Sequence, residues 1–89
     1  MSESDNISGR QIAAARTLLG MDQDRLAKLG NISVPTLRRM EASRGPASGY
    51  PNNVRAIRAA LEAAGVEFIA ENGGGPGVRV RKAKQDEGA

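Results

Sequence analysis

Cysteine and histidine are both missing from this sequence, and aromatic residues are limited to Tyr50 and Phe68. Without cysteine there is no disulfide scaffold and no zinc finger, and a reducing compartment suits the chain. Without histidine the commonest metal ligand and the commonest general base are gone. No helical face brings two carboxylates together, so no catalytic constellation, metal site or cofactor is expected, and an enzyme is a poor reading. With so few aromatics, Leu, Ile, Val, Met and Ala must fill the core. Eighty-nine residues make one domain, which buries only about 60–65% of the surface its unfolded chain exposes. No apolar run approaches the ~20 residues that span a bilayer. The polar start MSESDNIS is no signal peptide. The expectation is a cytoplasmic protein with no membrane contact. A net charge of +3 and a pI of about 10.0 permit a polyanionic partner.

Residues 1–7 read as a flexible polar leader. Ser8 then offers an N-cap, and Gln11 three residues later completes a capping box. Ile12, Ala15, Arg16 and Leu19 recur at i, i+3, i+4, i+7, which predicts a helix over Gly9–Leu19 stopped by Gly20. Asp22 caps a second helix over Gln23–Leu29. Gly30 and Asn31 tolerate positive φ, so the chain can turn sharply there. Ile32 is a candidate for a buried turn position. Ser33 caps a third helix, with Pro35 in its first turn, where the missing N–H costs nothing. Leu37 and Met40 define its inner face. At 100° per residue, Pro35, Arg38, Arg39 and Ala42 point away from them.

One charge is out of place. Arg16 lies on the apolar face of the first helix, where a lone buried charge is very costly. The bland reading is a snorkelling side chain at the edge of the core. The sharper one is an ion pair with an acid on another apolar face. Glu41, beside Leu37, is that acid, so an Arg16–Glu41 pair is expected to tie the first helix to the third.

ASRGPASGY, from Ala42 to Tyr50, is a loop by composition. Pro51 and Asn52 or Asn53 open a fourth helix with Val54, Ile57, Leu61 and Ala64 on its apolar face. Gly65 ends it, and Val66 can fold back on Leu61. The period then changes from helix to strand. VEFI and VRVR flank the helix-incompatible ENGGGPG, which predicts a hairpin or arm with Val66, Phe68, Val78 and Val80 on one face. Glu67 then shares a side with Arg79 and Arg81. The glycine-rich loop lacks the Gly-Lys-Ser/Thr ending of a phosphate-binding loop, and no helix follows it. Arg79, Arg81, Lys82 and Lys84 read first as solvated charges and second as a source of nonspecific phosphate attraction. Residues 82–89 read as a disordered charged tail.

Several features act together: Gln23 at a helix start, Ala27 where two helices meet, a left-handed turn at Asn31, Ser33 as cap, and Leu37 and Met40 inside. The pattern, carried by ISGRQIAAARTLLGMDQDRLAKLGNIS and running to about Gly65, resembles the XRE-like family of phage repressor and Cro-type helix-turn-helix proteins. Asn31 stands where that family usually has glycine. The family's Arg-to-Glu bridge falls on Arg16 and Glu41, the pair the helical faces had already reached. No fifth helix is evident, and GVEFIAENGGGPGVRVRK stands in its place.

The resemblance implies a mainly α, compact four-helix repressor-like domain over residues 8–65; the change of period adds a β-hairpin or arm over residues 66–81, whose exposed edge makes it a candidate dimerisation element. It implies double-stranded DNA as partner, with a recognition helix at about 33–42 in the major groove. Carried over position by position, Val34, Pro35, Arg38 and Arg39 face the bases. Gln23, Ser33, Thr36, Ser43 and Arg44 meet phosphates. Arginine can bond a guanine edge, whereas Val34 and Pro35 can only meet thymine methyls or fill space. The leading expectation is a transcriptional regulator binding a palindromic operator as a homodimer. The alternative is a protein-binding module, an antitoxin or antiactivator, since the same fold serves both.

Overall fold

The structure is a computed structural model and describes residues 7–81. Most of the expected leader and all of the expected tail, with Lys82 and Lys84, lie outside the described residues. Four helices precede a two-stranded antiparallel hairpin: α1 Gly9–Leu18, α2 Gln23–Gly30, α3 Val34–Glu41, α4 Pro51–Ala63, β1 Val66–Ile69 and β2 Gly77–Val80.

Local chemistry fixes each boundary. The Gln11 amide donates to Ser8 Oγ at 3.0 Å and the Ser8 amide to Gln11 Oε1 at 2.8 Å, a reciprocal cap on α1. Asp22 and Ser33 cap α2 and α3 by accepting from the Arg25 and Thr36 amides. The ends of α1 and α2 share one device. The amides of Gly20 and Met21 donate back to the Thr17 and Arg16 carbonyls, and those of Asn31 and Ile32 to Lys28 and Ala27. Both turns need a left-handed residue. Gly20 supplies φ 67° and Asn31 φ 58°, which asparagine can adopt although glycine does so more easily. Pro51 opens α4, and no side chain caps it. Asn52 instead accepts from Arg55 Nη1 at 2.9 Å.

The core is aliphatic. Ile12, Leu26, Leu37, Met40, Ile57, Leu61 and Val66 are fully buried, each contributing roughly 1.5–3 kcal/mol of transfer free energy. Two expectations need correction. Ile7 is no part of a flexible leader. It is a core residue, 3% exposed, and its carbonyl accepts from the Ala47 amide at 2.9 Å. An isolated leucine-sized side chain beside a polar leader carries no periodicity, so its burial was invisible. Ala64 lies past the last turn of α4 as its exposed C-cap and not on its apolar face.

Close backbone approach explains one glycine. A Cβ on Gly9 would lie 2.3 Å from the Met40 carbonyl oxygen, so the start of α1 rests directly on the end of α3. The Gly9 amide donates to Gly45 O at 3.2 Å, and Ser8 bridges to Pro46. The loop after α3 is thereby tied to the start of α1.

The hairpin pairs Val66 with Val80, Glu67 with Arg79, Phe68 with Val78 and Ile69 with Gly77. That register puts Val66, Phe68, Val78 and Val80 on one face, since alternate residues share a side. Val66 is buried and Phe68 and Val78 pack on the core, while Val80 is 47% exposed. On the other face Arg79 Nε meets Glu67 Oε1 at 2.7 Å, and Arg81 Nη2 donates to the Glu62 carbonyl. Gln11 locks the hairpin down. Its side chain, in a residue only 7% exposed, donates from Nε2 to Gly77 O at 2.9 Å and to Ile69 O at 3.3 Å. The strands are thus seated on α1 and do not form a free arm.

Candidate nucleic-acid interface

The outer face of α3 carries Pro35, Arg38, Arg39 and Ala42, while Leu37 and Met40 are fully buried on the opposite side. Val34 is half-buried and packs against the core. Pro35 at the second helical position leaves no unmet donor. Both arginines lie in the last turn, where the helix dipole favours a cation.

Behind this face stands a polar brace. Arg16 Nε meets Glu41 Oε2 at 2.8 Å and Arg16 Nη2 meets Glu41 Oε1 at 3.1 Å, a two-point contact between planar groups. Arg16 Nη1 also donates to the Met21 carbonyl at 3.0 Å, at the turn between α1 and α2. The arginine side chain is 20% exposed and the glutamate 8%. One guanidinium therefore fixes α3 and the entry to α2 together.

Gln23, at the first position of α2, extends the brace outward. Its Nε2 donates to Glu41 Oε1 at 3.0 Å, and its Oε1 accepts from Arg38 Nε at 3.3 Å. Sequence reasoning placed Gln23 at the surface but missed both links. Its partners lie 15 and 18 residues away on another helix, and nothing in local spacing announces them.

The remaining sequence-derived positions divide into two kinds. Ser33 Oγ donates to Thr36 Oγ1 at 2.8 Å, so these two hydroxyls face each other at the start of α3. Ser43 Oγ donates to Arg39 O at 3.2 Å and accepts from the Ser48 amide at 2.9 Å, and Ser48 Oγ donates to the same carbonyl. Hydroxyls thus satisfy the carbonyl end of α3 and fold the following loop. Arg39 and Arg44 are exposed, and no hydrogen bond or ion pair within the described residues engages their guanidinium groups. The exposed face of α3 therefore offers two guanidiniums, Arg38 held by Gln23 and Arg39 unrestrained, while Arg44 follows in the loop and lines the groove beside Pro46.

No group of three or more Asp or Glu residues is placed to hold a metal ion among the described residues, and none of their helices is long and apolar enough to cross a membrane. Residues 12–49 match a family model described as helix-turn-helix. No curated protein matches the chain.

Proposed function

Because residues 12–49 match a helix-turn-helix family model and the chain resembles the XRE-like DNA-binding family, we propose that it is a sequence-specific transcriptional regulator that lays α3 in the major groove. The observation that carries this reading is the pairing of an exposed guanidinium face with a buried brace. Arg38 and Arg39 are presented on a helix whose back is held by Arg16–Glu41. Rigid presentation lowers the ordering cost of binding. Arginine at these positions can bond the O6 and N7 of guanine, while Val34 and Pro35 offer shape and methyl contact. Of the positions expected to meet phosphates, Arg44 and the Thr36 hydroxyl keep donors for them, whereas the Ser33 and Ser43 hydroxyls donate within the protein and the Gln23 amide is turned to Glu41 and Arg38.

An eight-residue helix reads few bases alone. Two copies on a palindrome, one helical turn apart, double the contact. We therefore propose a homodimer in the cytoplasm, with the hairpin as its contact. The Arg81 amide donates to Gly65 O, so by antiparallel alternation the amides of Val78 and Val80 point outward from β2. An outward row of N–H and C=O groups is a template for a second strand.

Selection of bound sites from random DNA, followed by a salt titration on the winner, tests the reading. It predicts a two-fold-symmetric motif and a log–log affinity slope of about −0.9 per phosphate contacted. No enriched motif and no salt dependence would overturn it.

One observation supports a protein-binding alternative. A groove of about 860 Å³ lies between the hairpin tip, the start of α1 and the loop at Pro46, with Ile69, Val78 and Phe68 on its walls and Arg10 and Arg44 at its edge. An apolar floor with a basic edge suits an acidic polypeptide. A co-purifying partner, with no salt-dependent DNA binding, would favour this alternative.

A further inference from the structure

We propose that Gln23 is a positioning residue for base recognition: it holds Arg38 in one orientation and couples it to the buried Arg16–Glu41 pair. The inference rests on the DNA-reading role of α3 proposed above and deepens it.

The hydrogen bonds form one unbroken path. The Met21 carbonyl accepts from Arg16, Arg16 donates to Glu41, Glu41 accepts from Gln23, and Gln23 accepts from Arg38. Only one orientation of the Gln23 amide is consistent with its neighbours. Its NH₂ must face the carboxylate and its oxygen the guanidinium, because a flipped amide would set oxygen against carboxylate and donor against donor. The carboxylate at the far end is itself pinned at two points by Arg16. The amide is consequently a fixed acceptor, aimed outward at Arg38.

The consequence for Arg38 follows from guanidinium geometry. Its Nε is occupied by Gln23. The end-on edge, with one N–H from each terminal nitrogen, is left as its two-point donor. That edge matches O6 and N7 of guanine. Arg39 has no such tether among the described residues and must order its side chain on binding. The two adjacent arginines are thus unequal, with Arg38 set in place before DNA arrives and Arg39 adapting to it.

A phosphate-contacting role for Gln23 makes a different prediction, and the substitution Gln23→Lys separates the two. The lysine side chain would add a cation facing the backbone of the DNA, but it offers no acceptor to Arg38 and repels it. Under the positioning role, Gln23→Ala and Gln23→Lys both lower the preference for the base read by Arg38 by about three- to tenfold, the value of one exposed hydrogen bond. Gln23→Lys does so although its salt slope steepens by about one. Full base preference in Gln23→Lys, with affinity equal or higher, would overturn the proposal.

A second measurement needs no DNA. In the free, isotope-labelled full chain, the Arg38 Nε–H signal should show an ordered side chain, and Gln23→Ala should abolish that order while the Arg16 Nε–H signal persists as proof of folding. An Arg38 signal as mobile as that of Arg39 in the unsubstituted chain would overturn the proposal whatever the DNA result. If the chain binds no DNA of any sequence at low salt, the functional reading fails together with the recognition half of the proposal, and the side-chain signals still decide whether the tether exists.

Discussion

Two arginine–glutamate pairs of nearly equal length sit in opposite settings in this molecule. Arg16–Glu41, behind α3, spans 2.8 Å with side chains 20% and 8% exposed. Arg79–Glu67, on the outer face of the hairpin, spans 2.7 Å with side chains 68% and 38% exposed. Distance does not distinguish them, but burial does. In the first pair each partner depends on the other to compensate a charge removed from water. In the second, water and salt compete for both charges, and holding two long side chains together offsets what attraction remains. The helix-turn-helix is thus held by an internal ionic joint. The hairpin is held by backbone pairing, by Val66 in the core and by the neutral amide of Gln11.

That contrast can be broken by substitution. The largest effect on stability is expected for Arg16→Ala, at about 3 kcal/mol, because Glu41 stays buried with only Gln23 to satisfy it. At roughly 4–8 °C per kcal/mol for a domain this small, melting should fall by more than about 10 °C. A thermal scan within a degree or two of the unsubstituted chain would place the two pairs in one class. Gln11→Ala comes next, at about 1–2 kcal/mol. It frees two strand carbonyls and breaks half of the α1 cap. Hydrogen exchange should then quicken in β1 and β2 before it does in α3, and uniform quickening would contradict the separate attachment of the hairpin. Arg79→Ala should change stability by no more than about 0.5 kcal/mol in a denaturant melt. Val80→Lys should leave stability within the same margin, since Val80 is 47% exposed, yet shift sedimentation toward monomer if β2 pairs with a second copy. An unchanged dimer would remove the hairpin edge from the interface.

The same contrast explains what the sequence makes legible. The ionic joint is readable because helical periodicity exposes it. A charge at Arg16 breaks an apolar stripe, a charge at Glu41 breaks another, and two such violations answer each other. The turns at Gly20 and Asn31 are readable because few residues accept positive φ. The strand faces follow from alternation once Val66 and Val80 are paired. Gln11 was legible only as a cap. Its reach to Ile69 and Gly77 spans 58 and 66 residues, and no local pattern encodes a contact that the tertiary packing creates. Ile7 and Gln23 escaped for the same reason. Ile7 is buried by the returning loop at Ala47, and the Gln23 amide finds its partners only once α3 is docked. The candidate site was therefore visible in its exposed residues, while the side chain linking them to the joint was not.

The reading face itself is tested most directly by Arg38→Ala/Arg39→Ala measured on the selected DNA site beside the unsubstituted chain. Both residues are exposed, so the melting temperature should stay within a few degrees. Losing a guanine contact is worth roughly 1–3 kcal/mol, so affinity for the selected site should fall at least about tenfold, toward that for random DNA. A folded double variant that still binds the selected site with full affinity and preference would show that α3 is not the element that reads the sequence.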